Sequence, residues 1–176
     1  AFLAEAVASV VAQTYPHVEI IVCDDGSTDE TKTVLAELSD RVRHIPLERS
    51  GSPARTRNRG LEAATGDFIC FLDDDDVWET GKLDWQVKAL AATPAMGIAY
   101  TDARHLNPDG SLSAALLDEA ERGSGPLFKR LLSNCFLHPS TVMVRRELLG
   151  KTGGFNEAFT FDEDYDLWLR LARLTD

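Results

Sequence analysis

Residues 66–77 read GDFICFLDDDDV, a short apolar run that ends in four consecutive aspartates. Phe68 to Leu72 has the length and apolar continuity of a strand buried on both faces. Upstream, residues 17–23 repeat the pattern as HVEIIVC, closed by Asp24, Asp25 and Gly26. Before that, Phe2, Leu3, Ala6, Val7, Val10 and Val11 recur at helical spacing, and Pro16 stops the helix soon afterwards. Ser27 followed by Glu30 reads as a capping box for a helix with Val34, Leu35 and Leu38 on one face. A strand near Arg41 to Leu47 and a helix from Ala54 to Ala64, ended by Gly66, complete this half. Beyond the aspartates the pattern predicts a helix over Gly81 to Ala92 and a strand over Gly97 to Tyr100. A turn at NPDGS (107–111), a helix over Pro126 to Leu132 and a strand over Thr141 to Arg145 follow. Gly153-Gly154-Phe155 reads as a loop, and Asp164 to Leu174 as a closing helix. Strands alternating with helices predict an α/β domain with a Rossmann-like, largely parallel sheet. The stretch 104–125 has the weakest periodicity and reads as a loop.

The chain has 176 residues, a length that suits one domain with a sizeable core. Hydrophobic residues make up 44% and charged residues 27%, values of a globular protein rather than a disordered or fibrous one. Lys+Arg number 18 against 29 Asp+Glu, so 18 − 29 gives −11. That balance argues against nucleic-acid binding, which needs a basic face. No apolar run approaches the ~18 residues of a membrane span. Cys23, Cys70 and Cys135 lack the close pairing of zinc sites, and the first two lie in apolar runs as core thiols suited to a reducing compartment.

In an open α/β sheet, ligands bind beyond the carboxyl ends of strands. Two such ends carry acidic clusters here. For Asp24 and Asp25, turn and cap chemistry is an adequate reading by itself. Four aspartates in a row repel one another unless a cation or a hydrogen-bonding ligand answers them. The spacing Asp73-x-Asp75 suits Mn²⁺ or Mg²⁺, hard cations that take oxygen ligands and that share substrate phosphates. In ARTRNRG (54–60), Arg55 and Arg59 share a helix face and Arg57 points elsewhere. At least one of them is expected to meet phosphate, and Arg59 reads as a solvated residue. In FDEDYDLWLRL (161–171), Asp164 lies on the face of Trp168 and Leu171, so it borders either a cavity or simply the start of a helix.

Taken together, these strings resemble the family 2 inverting glycosyltransferases of the GT-A fold. The resemblance rests on EAVASVVAQTYPHVEIIVCDDGSTDET, GSPARTRNRGLEAATGDFICFLDDDDVW, KLDWQVKAL, VRRELL, GGF and EDYDLWLRL, in the family's order and covering nearly the whole chain. It implies a single GT-A domain over residues 1–176 that transfers a sugar from a nucleotide-diphosphate sugar, by analogy a UDP-sugar, to an acceptor hydroxyl. It also implies polysaccharide or glycoconjugate synthesis in the cytoplasm or at the cytoplasmic face of the membrane. Asp24 and Asp25 match the family's DDGS turn near the nucleotide base, and Arg57 with Asn58 matches its nucleotide-side ARN segment. Asp73 and Asp75 match its DxD motif, with Asp75 on the metal and Asp73 towards the ribose. Asp164, in the pair Glu163-Asp164, matches its catalytic base. The family carries a small residue where Asp74 stands, and a Gly-Ser-Ala run where Pro53 and Arg55 intervene. Members also begin with a strand ahead of the first helix, so the resemblance implies a piece of a longer protein whose interior strand is absent.

Three other readings compete on the residues alone. An apolar strand followed by Asp-x-Asp-x-Val also fits a haloacid-dehalogenase-like phosphohydrolase with Asp73 as nucleophile. A nucleotidyltransferase shares sheet and metal, and a non-catalytic sugar-nucleotide binding module shares the site without the chemistry.

Overall fold

The computed structural model describes residues 2–175. Its helices are α1 (Phe2–Val11), α2 (Thr31–Glu37), α3 (Pro53–Ala63), α4 (Lys82–Ala92), α5 (Leu127–Leu131), α6 (Arg146–Thr152) and α7 (Glu163–Ala172). Its strands are β1 (Ile21–Asp24), β2 (Arg43–Pro46), β3 (Phe68–Cys70), β4 (Ile98–Tyr100) and β5 (Val142–Arg145). Among the described residues these strands form two sheets, a parallel pair β1-β2 and an antiparallel trio β3-β5-β4. The alternation of strands and helices is as the sequence implies. The sheet directions are more mixed, because β5 returns from the long excursion after β4 and inserts between β3 and β4 against both. Apolar periodicity marks a strand but carries no record of its direction.

The main core gathers the inward faces of β3, β4 and β5 under α7. Trp168, Leu167, Leu171, Leu131, Val142 and Val144 are all fully buried there. Phe71 meets Phe155 edge-on at 5.2 Å between ring centroids, and lies 6.0 Å from the Trp168 ring. Arranged in this way, aromatic rings contribute beyond the area they bury. A second cluster, Leu83, Leu90, Ala99 and Met143, seats α4 on the antiparallel sheet, and a third joins Val7, Leu35 and Val42. Within the second, Lys82 is buried, donates to Gln86 Oε1 at 2.7 Å and lies 4.2 Å from the Trp78 ring centroid. Burial lowers its pKa to about 8, with the nearby Cys70 pulling the other way.

Local chemistry explains the boundaries. Ser52 caps α3 by accepting from the Arg55 amide at 3.3 Å, with Pro53 at the first helical position. The capping box at Ser27 and Glu30 does not form. Asp24 Oδ1 instead takes the Ser27 amide at 2.8 Å, and α2 starts later, at Thr31, without a side-chain cap. The weakly periodic segment is a loop fastened at points. Its NPDGS turn closes through Gly110 N to Asn107 O at 2.9 Å, and Asp102 Oδ1 accepts the amides of Leu116 and Leu117. No helix among the described residues is long and apolar enough to cross a membrane.

Between β1 and β3 runs a cleft of about 1010 Å³. Residues 20–25 line one wall and residues 68–75 the other. Among the described residues, neither strand pairs with another on the side away from its sheet partner. Asp24, Asp25 and Asp73 to Asp75, at the carboxyl ends of the two strands, are among its lining, and the sheet geometry places a ligand beyond such ends.

Candidate active site

Asp24 and Asp25 sit at the end of β1 and work first on the backbone. Asp24 is buried, holds the Ser27 amide, and places Oδ2 3.7 Å from His44 Nε2. Burial pushes its pKa up, but the Ser27 hydrogen bonds, His44 and Lys32 outweigh it and hold the carboxyl below its ordinary value. Asp25 Oδ1 accepts from both the amide (2.9 Å) and the hydroxyl (2.8 Å) of Ser50, and Oδ2 takes the Gly51 amide at 2.7 Å. Burial opposes ionisation here too, and the Ser50 and Gly51 hydrogen bonds with Arg55 win, so Asp25 is also held low. These bonds tie the β1 turn to the loop that starts α3. Both aspartates still line the cleft.

The aspartate run follows β3. The Asp73 amide donates to Ser140 Oγ at 3.1 Å, and Asp76 N closes a turn on Asp73 O at 3.1 Å. Trp78 Nε1 donates to the Ser140 carbonyl at 2.8 Å, so one residue of the short 3₁₀ turn Pro139–Thr141 steadies both ends of the acidic loop. Asp73, Asp74 and Asp75 line the cleft, and Asp74 and Asp75 are exposed. Among the described residues, no three His, Cys, Asp or Glu side chains are gathered into a cage for a metal. An oxygen-only pair on the rim fits a cation that shares its remaining positions with substrate phosphates and water, the usual habit of Mg²⁺.

Arg57 brings the third element in. Its Nη2 donates to Asp73 Oδ1 at 2.8 Å and its Nη1 to Glu163 Oε1 at 2.7 Å. The start of α7 is thereby drawn against the end of β3. Glu163 is buried, while Asp164 is partly exposed and accepts the Tyr165 amide at 2.7 Å. Burial raises the Asp164 pKa, the Tyr165 N–H opposes the rise, Glu163 adds to it and Arg57 opposes it, with the net direction upward. Asp164 also stands near Cys135, whose thiol is pushed up to about 11 by burial first and by Asp164 second.

Asn58 is not among the residues that line the cleft. Its Oδ1 accepts the Phe155 amide at 2.9 Å, and its Nδ2 donates to the Phe155 carbonyl and to Glu157 Oε1, each at 2.9 Å. Both of its donors and its carbonyl oxygen engage the loop ahead of α7, and it lines a different cavity. Arg59 pairs with Glu62 at 2.7 Å on the exposed helix face, as the solvated reading required. Ser140 was not singled out from the sequence. A lone hydroxyl in a loop has no periodic signature, and only the fold puts it beside Asp73.

Residues 1–153 match the family model described as Glycosyl transferase family 2. The chain is 31% identical over 172 residues to the Escherichia coli UDP-Glc:alpha-D-GlcNAc-diphosphoundecaprenol beta-1,3-glucosyltransferase WfgD, covering 97% of this chain and 64% of that relative. In fold it resembles S. aureus TarS 1-349 in complex with UDP-GlcNAc, at a TM-score of 0.74 and 23% identity, covering 97% of this chain and 49% of that one. It also resembles the mannosyltransferase PcManGT of Pyrobaculum calidifontis in complex with GDP-Man and Mn²⁺, at a TM-score of 0.70 and 22% identity, covering 93% and 46% of the two chains.

Proposed function

The chain belongs to glycosyl transferase family 2, and on that premise we propose that it transfers a sugar, with inversion, from a nucleotide-diphosphate sugar to an acceptor hydroxyl. The observation that supports this reading is the meeting of Asp73 and Glu163 on one guanidinium, which joins the end of β3 to the turn of α7 that carries Asp164. A UDP-sugar is the donor that the relative WfgD favours by its name, with synthesis of a polysaccharide or glycoconjugate at the cytoplasmic membrane face as the setting.

In this reading the nucleotide lies beyond the carboxyl ends of β1 and β3. Asp24 and Asp25 shape the wall at its base, and Asp73 faces its ribose. Asp75, aided by Asp73, would hold Mn²⁺ or Mg²⁺, a Lewis acid that offsets charge on the departing diphosphate. Asp164 takes the proton from the acceptor hydroxyl as that oxygen attacks the sugar from the face opposite the nucleotide. A base needs a pKa near enough to the working pH to hold a proton once received, and burial moves Asp164 in that direction. The family match over residues 1–153 favours sugar transfer over the phosphohydrolase alternative.

Thermal melting with UDP, GDP or dTDP, each with and without Mn²⁺, tests the donor side. A ligand at 100 times its dissociation constant stabilises the folded form by about 2.7 kcal/mol. Stabilisation by one nucleotide, dependent on Mn²⁺, is the expected result. Absence of any shift in a protein that melts cooperatively overturns the reading.

A further inference from the structure

We propose that Arg57 is a positioning residue, which fixes the first turn of α7, and Asp164 with it, against the end of β3, instead of holding the donor's phosphates. The proposal rests on the reading of Asp164 as the base. Arg57 reaches partners 16 and 106 positions away in the chain, Asp73 at 2.8 Å and Glu163 at 2.7 Å. Its two hydrogen bonds leave from different nitrogens of a rigid planar fork, a span that a lysine ammonium cannot reproduce. The guanidinium also lies 5.6 Å from the centroid of the Phe155 ring.

Phe155 is itself fixed. The neighbouring Asn58 grips its backbone amide and carbonyl, and its ring packs edge-on to Phe71 at 5.2 Å and to Trp168 of α7 at 6.4 Å. Two consecutive residues of α3 thus hold the two ends of segment 155–163, one by backbone and one by charge. The charge count points the same way. One guanidinium already answers two carboxylates, so no positive surplus is left for a diphosphate. Glu163 is only 8% exposed, and a carboxylate so buried needs the cation beside it. Glu163 is then the handle by which α7 is held.

The test is steady-state kinetics and UDP binding on Arg57→Lys, Glu163→Gln and the double variant, with hydrogen exchange read at residues 163–167. A mispositioned base costs rate at saturating donor. Arg57→Lys is therefore expected to lower kcat about 10- to 100-fold. Donor KM and UDP affinity should change much less than kcat, because Asp73 itself stays on the donor side and only its partner is altered. Glu163→Gln should act alike, and the double variant should lose much less than the product of the two, since both cut one clamp. Exchange at the start of α7 should quicken in each variant. UDP affinity reduced about 10-fold or more with kcat retained at saturation would overturn the proposal in favour of phosphate contact. So would multiplicative losses, or unchanged exchange at 163–167. Absence of any sugar transfer by the unsubstituted protein would instead sink the transferase reading, and the clamp would then stand or fall on exchange.

Discussion

Glu163 and Asp164 are neighbours at the start of α7, yet Arg57 takes Glu163 at 2.7 Å and leaves Asp164 with the Tyr165 amide as its hydrogen-bond donor. One carboxylate is neutralised by a cation and buried. The other is partly desolvated without such a partner, and its pKa rises.

Transfer should therefore increase with pH through an inflection above the ordinary aspartate value of about 3.9. Asp164→Asn should abolish transfer and leave UDP binding intact. The same shift has a stability signature. A carboxyl whose folded pKa is raised costs stability above its folded pKa and costs nothing below its unfolded one. Asp164→Asn should therefore melt higher than the parent at neutral pH, and the gain should vanish as pH falls below the ordinary aspartate value. Melting curves at pH 3 and pH 7 decide it, and an equal shift at both would exclude this origin.

Asp25 has the opposite sign. Its pKa is depressed, so its contribution is complete above the unfolded value and is lost as pH falls through the folded one. Asp25→Asn keeps the shape but loses the charge in three hydrogen bonds to Ser50 and Gly51. The expected loss is about 1–2 kcal/mol in urea denaturation at pH 7, shrinking at acid pH. A constant difference across pH would contradict it.

Asp75 is exposed and should matter to ligand, not to fold. Asp75→Asn should unfold within about 0.5 kcal/mol of the parent without ligand. Its stabilisation by nucleotide should no longer depend on Mn²⁺. An unaltered Mn²⁺ dependence in the melting assay would remove Asp75 from the metal's ligands.

Gly154 has φ of +76°, and a Cβ there would stand 2.6 Å from Asn58 Oδ1. Gly154→Ala should cost about 1–3 kcal/mol from the left-handed backbone alone, with the clash added. Asn58→Ala removes the clash together with the clamp. The double variant should then lose less than the sum of the two, and strict additivity in denaturation would argue against direct contact.

Much of this architecture was legible in the sequence because it repeats. The apolar runs at 18–23 and 68–72 and the stripe Trp168–Leu171 are periodic or continuous, and both acidic strand ends follow from them. Relations between distant residues were not legible. Arg57 could be seen as an arginine in a helix, but its carboxylates lie 16 and 106 positions away. Asn58 looked like part of the same nucleotide-side segment, and the helix turns it to another wall, 100° of rotation away per residue. The capping box at Ser27 failed because Asp24, a buried carboxylate, competed for the Ser27 amide and won. The insertion of β5 between β3 and β4 depends on how a long loop returns, which a run of apolar residues does not encode.

The division of the strands into two sheets has a colloidal consequence. Both β1 and β3 present backbone donors and acceptors to the cleft along edges that pair with nothing among the described residues. Such edges are templates for another strand. Charged side chains along them would discourage this, but β1 reads Ile21-Val22-Cys23-Asp24 and β3 reads Phe68-Ile69-Cys70. The molecule's net charge of −11 keeps copies apart at long range in low salt. Added salt shortens that repulsion to about 8 Å at physiological ionic strength and leaves the edges untouched. For residues 1–176 taken alone, the expected outcome is light scattering that rises as salt is added.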